Sequence, residues 1–130
     1  MKFTLVILGA PYSDSASQSA LAFAQAALDA GHSIYRLFFY ANGVHNATRL
    51  AAPPQDELDL PAGWQQLIQK HQLDAVACIA AALRRGLLDS TEAQRYQKNT
   101  DNIAPEFELS GLGQLIEASA LSDRVVTFGP

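Results

Sequence analysis

Cys78 is the only thiol in the chain, and a cysteine held as its thiolate is a nucleophile. It stands in a run, Leu73 to Ala80, that is almost wholly apolar, broken only by Asp74, and reads as a strand, and it lies near that strand's end. In open parallel sheets reactive groups collect beyond the carboxyl ends of the strands. Arg84 and Arg85 follow within a few residues; if the connection folds back, their charge would favour thiolate over thiol. The competing readings are a cysteine packed in the core, the common fate of this residue type, and an ordinary solvated arginine pair.

His45 falls in the loop after the second expected strand, on the same sheet edge as Cys78, and is a candidate proton partner. His32 and His71 sit in separate segments, so the histidines show no metal-ligand spacing and no second cysteine completes a site. The loop Gly9-Ala10-Pro11-Tyr12-Ser13-Asp14-Ser15 opens a helix and could receive an anion, which keeps a flavodoxin-like small-ligand module as an alternative; a plain capped turn also accounts for it. The loop lacks both the GxGxxG fingerprint and a P-loop lysine, no GxSxG elbow occurs, and no pair of carboxylates stands out with a spacing that would assign acid and base roles.

The elements that must position these residues alternate. Phe3 to Leu8 is an apolar, partly β-branched run that reads as a strand; an N-terminal leader peptide is the other reading of that run, and the helical pattern that follows at once favours the strand. Ser15 and Gln18 suggest a capping box, with Ala16, Ala20, Phe23 and Ala27 on one helical face up to Gly31. Ile34 to Tyr40 is a second strand, Asn42-Gly43 a turn, and Ala51 to Pro61 a surface loop. Asp59 and Pro61 start a helix carrying Trp64, Leu67, Ile68 and His71 on one face. After Cys78, the run Ala80-Ala81-Ala82 continues the strand toward Gly86. A short helix spans Ser90 to Tyr96, and the polar stretch Lys98 to Pro105 reads as mobile. Phe107 to Leu109 is extended, Leu112, Leu115, Ile116 and Ser119 share a face of a last helix, and Arg124 to Phe128 closes the sheet. The expectation is a single α/β domain over 1–130, three-layered α/β/α, with a mainly parallel five-stranded sheet.

A net charge of −4 offers no footprint for gripping phosphate backbones, so direct nucleic-acid binding is not expected. No segment approaches the ~20 apolar residues of a membrane span, and a lone thiol suits a reducing compartment, which points to the cytoplasm.

Taken together, Phe23-Ala24-Gln25-Ala26 with Gly31-His32, Phe38-Phe39-Tyr40 with Gly43-Val44, Cys78 leading into Ala80-Ala81-Ala82-Leu83-Arg84-Arg85-Gly86, and Leu109-Ser110-Gly111-Leu112-Gly113 resemble the DsrE/DsrF-like sulfur-relay family nearly end to end. The resemblance implies a sulfurtransferase subunit in which Cys78 accepts sulfane sulfur as a persulfide and passes it on, without metal or nucleotide cofactor. It also implies a heterohexamer with two smaller homologous subunits of TusB/TusC or DsrH/DsrF type, an upstream donor of TusA type and a downstream acceptor of TusE or DsrC type. Both the TusD branch, serving wobble 2-thiouridine in tRNA, and the DsrE branch, serving dissimilatory sulfur oxidation, share this cysteine context; the Ala-Ala-Ala-Leu-Arg-Arg-Gly run leans toward TusD.

Overall fold

A computed structural model of the chain describes all 130 residues. Five strands, β1 (Lys2–Ile7), β2 (Ser33–Phe39), β3 (Ala75–Cys78), β4 (Glu108–Ser110) and β5 (Arg124–Phe128), form one all-parallel sheet in the order β4-β3-β2-β1-β5. Between them run α1 (Ala16–Asp29), α2 (Leu60–His71), α3 (Ile79–Arg84), α4 (Ser90–Arg95) and α5 (Gly113–Leu121), with a 3-10 helix over Ala41–Ala47. From β1 to β4 the chain steps in one direction, so right-handed crossovers place α1 and α2 side by side on one face; the return to β5 places α5 on the other. This is the three-layer α/β arrangement that the alternation predicts.

Side chains confirm the two faces. On β2, Phe39 meets Trp64 of α2 edge to face at 5.2 Å. Arg36, three residues earlier and buried, points to the opposite layer, where it donates to Asp74 (2.7 Å), Glu117 (3.1 Å) and the carbonyl of Gln114 (2.8 Å). Burial opposes its charge, but the bonds to Asp74 and Glu117 outweigh it and hold the guanidinium above its ordinary range. Central strands buried on both faces explain the largely apolar runs: Leu5, Ile7, Leu37, Phe38 and Ala77 are fully buried.

Several boundaries differ from the sequence expectation. The third strand is shorter than Leu73 to Ala80. Gln72, with φ of 52°, closes α2 as Leu73 N–H donates to Ile68, and pairing with the three-residue β4 ends at Cys78 opposite Ser110. The alanine run then follows its intrinsic preference and becomes α3. The Ser15–Gln18 capping box is absent: Asp14 Oδ1 accepts the Ala16 N–H at 2.8 Å. Ala24 rather than Phe23 lies fully buried on α1. Asp59 and Asp89 do cap α2 and α4. The stretch expected to be mobile is tied down around Ile103, with Asn102 N–H donating to Leu88, Arg49 N–H to Asn102 and Ala104 N–H to Ala47. Ile103 and Ala104 are the buried apolar anchor inside that polar run. No helix is long and apolar enough to cross a membrane.

Candidate functional site at the carboxyl edge of the sheet

Cys78 is the last residue of β3 and the N-cap of α3, so the strand end expected to present it is where it stands. Its side chain makes no capping bond, and the residue is only 3% exposed in the isolated chain. The 3-10 helix that follows β2 packs against both β3 and α3, and Ser110 of β4 lies alongside.

Of the expected supporting residues, His45 and Arg85 come together. Both line a cleft of about 480 Å³ at the carboxyl edge, with Pro11, Tyr12, Thr48 and Asn102. Arg85 folds back along α3: its Nε donates to Asn42 Oδ1 at 2.9 Å and its Nη1 to the Ala81 carbonyl at 3.1 Å. Partial burial, and then the positive charge of Arg85, hold His45 below its usual value of 6.5, leaving a neutral imidazole able to accept a proton. Arg84 points elsewhere, into a second cleft of about 530 Å³ with Tyr96 and Lys98, so the pair is split. No hydrogen bond links the Cys78 sulfur to Arg84, Arg85 or His45.

What holds this edge in place is a buried polar network that periodicity does not announce. Asn46 Nδ2 donates to the carbonyls of Gly9 (3.0 Å) and Gly43 (2.9 Å), and its Oδ1 accepts from Ser17 Oγ (2.6 Å). Trp64 Nε1 donates in turn to Ser17 Oγ at 3.0 Å. Every polar atom of the Asn46 amide group is thereby used, and the loop after β1 is locked to the segment after β2. The available signal was Ser17 itself, in step with Ala20, Ala24 and Ala27 on the buried stripe of α1.

The loop considered for small anions is less suited to them than its glycine and serines suggest. Asp14 already occupies the first N–H of α1, and both Asp14 and Glu57 line the adjoining cleft of about 450 Å³. Two carboxylates in one cleft repel phosphate.

A doubly covered parallel sheet with a single cysteine at a strand's carboxyl end defines a class of small α/β proteins. Comparison with known proteins makes the assignment specific. Residues 1–128 match the DsrE/DsrF-like family. The chain is 52% identical over 129 residues to a candidate sulfurtransferase, DsrE, of Allochromatium vinosum, covering 99% of each. It is also 52% identical over 129 residues to the sulfurtransferase TusD homolog of Pseudomonas aeruginosa, covering 99% of this chain and 98% of that one. Among solved structures, the YchN protein of E. coli superposes with a TM-score of 0.78 at 20% identity, over 98% of this chain and 99% of that one, which supports the fold. The chain belongs to the DsrE/DsrF-like family and is a sulfurtransferase of that family.

Proposed function

We propose that Cys78 carries sulfane sulfur as a persulfide and relays it between protein thiols. The observation that carries this reading is the placement of the chain's only cysteine at the carboxyl end of a parallel strand, in a protein half-identical to named sulfurtransferases. The Cys78 thiolate attacks the outer sulfur of a donor persulfide; the donor S–S bond breaks, the donor leaves as a thiolate, and an S–S bond forms on Cys78. An acceptor thiolate then attacks that outer sulfur and Cys78 is the leaving group. Electrons balance without an external oxidant, and no metal or nucleotide enters.

At 3% exposure the thiol is shielded in the isolated chain, so in-line attack requires the flanking 3-10 helix, α3 or β4 to yield locally. Shielding suits a carrier, because a persulfide open to solvent is lost to any passing thiol. The experiment is incubation with glutathione persulfide followed by mass spectrometry of the intact chain. One added sulfur on Cys78, absent in Cys78→Ser with the fold retained, is expected. A native thiol that takes up no sulfur and resists maleimide until the chain unfolds would mark Cys78 as a core residue only.

The relay is assigned to the branch serving wobble 2-thiouridine, in the cytoplasm, within a heterohexamer with two smaller homologous subunits, taking sulfur from a TusA-like donor and passing it to a TusE-like acceptor. Supporting this are the Ala80 to Gly86 run and an acidic balance suited to meeting proteins while a later enzyme handles tRNA. Deleting the gene should remove 2-thiouridine from bulk tRNA digests. Retained 2-thiouridine with impaired sulfur oxidation would assign the chain to the DsrE branch, with a DsrC-like acceptor.

A further inference from the structure

The connection that follows Cys78 is a basic part of an acidic chain. Residues 79–100 hold four of the nine Lys and Arg but two of the thirteen Asp and Glu, a net charge of +2 against −6 for the remainder. Ion pairs elsewhere neutralise Arg36 and Arg49, and within this segment Arg95 pairs with Glu92. Arg84, Arg85 and Lys98 have no acidic partner. Arg85 is fixed only by neutral groups, Asn42 and the Ala81 carbonyl, which orient the guanidinium without cancelling its charge.

These three cations line two adjoining clefts, Arg85 with His45 in one and Arg84 and Lys98 with Tyr96 in the other. Gly86 borders both. Its φ of 76° closes α3, and it places no side chain between them. Tyr96, 53% exposed, adds an aromatic surface beside the charges. Three cations without an acidic partner, in two clefts that share Gly86, give this edge a local positive charge on an otherwise acidic protein.

Resting on the carrier role of Cys78, we propose that the Arg84, Arg85 and Lys98 face docks an acidic segment of the thiol-bearing protein that exchanges sulfur with it. Carboxylates match the fork of an arginine, and complementary charge steers encounter toward the edge that holds the cysteine. A nucleic acid fits less well: its closely spaced phosphates would soon run past three cations onto a surface of net charge −6.

The test uses the full chain and three cysteine peptides of equal length, flanked by Asp and Glu, by Ser, or by Lys, each loaded as a persulfide. The rate of sulfur arrival on Cys78 is followed by mass spectrometry. Serine-for-cysteine versions of the same peptides report docking alone, by fluorescence anisotropy. The acidic peptide should transfer about tenfold faster than the lysine peptide at low salt. That advantage should shrink as ionic strength rises from ~0.01 M to ~0.15 M and the screening length falls from ~30 Å to ~8 Å. In the Arg84→Ser, Lys98→Ser double variant the ratio of the two rates and the ratio of the two affinities should both fall toward one. Equal binding of all three peptides, selectivity that survives the double variant, or a mixed-sequence RNA oligonucleotide that displaces the acidic peptide from this face would each overturn the proposal. Acid-selective docking without sulfur arriving from any peptide would instead break the carrier reading and leave the docking face standing.

Discussion

His45 is the group at the carboxyl edge whose protonation the surroundings oppose, first by burial and then through Arg85. Its folded pKa lies below the usual 6.5, so between that lowered value and 6.5 the unfolded chain binds more protons than the folded one. Stability therefore rises with pH through that window and this contribution is flat above it. An NMR titration of the His45 imidazole should show a midpoint below 6.5 in the wild type, moving partway up in Arg85→Gln as the charge is removed and the burial remains. A midpoint that ignores Arg85 would separate the two residues electrostatically. That His45 and Arg85 lie on the carboxyl edge was legible in the sequence, because both follow strands that end there; that they meet each other was not. The depth of Cys78 was not. Depth depends on what covers a strand's end, and the cover is a 3-10 helix whose Asn-Gly pair reads locally as an open turn.

That helix owes its position to one residue without a side chain. Gly43 passes against the carbonyl of Ile7, the same oxygen that accepts the Tyr40 N–H at 3.0 Å, and a Cβ at Gly43 would overlap it. Backbone cannot step aside as a flexible side chain can, so Gly43→Ala should lower the unfolding free energy by about 2–3 kcal/mol. Urea midpoints at unchanged slope would measure it, and a loss below about 0.5 kcal/mol would show that the junction yields. The five strands and the helices α1, α2, α4 and α5 were legible in order and type, since a doubly buried strand and an amphipathic helix each impose their own period, whereas α3 read as more strand and the 3-10 helix as a turn. The end of β3 was harder to read, because a run of alanines after an apolar strand satisfies either element until the short partner β4 stops the pairing at Cys78.

The two faces of the sheet are unequally covered, and that bears on how the whole molecule is used. One face carries α1 and α2; the other is crossed by α5, which Arg36 pins through Gln114 and Glu117. The apolar stripe read on this last helix does not all turn inward: Leu115 packs on the core, whereas Ile116 is 70% exposed, with Leu112 and Leu121 about half so. Val125 extends this apolar surface on the edge strand β5. A face of this kind suits the proposed assembly with two smaller homologous subunits, because burying one isoleucine contributes about 1.5–3 kcal/mol. Ile116→Glu tests it. The side chain touches little within its own chain, so thermal stability of the isolated chain should stay within about 0.5 kcal/mol of wild type. In the complex a carboxylate would be forced into an apolar contact, and assembly should fail. Light scattering coupled to size exclusion on the co-expressed subunits would then report a smaller particle; an unchanged mass would place the interface on another face of the sheet.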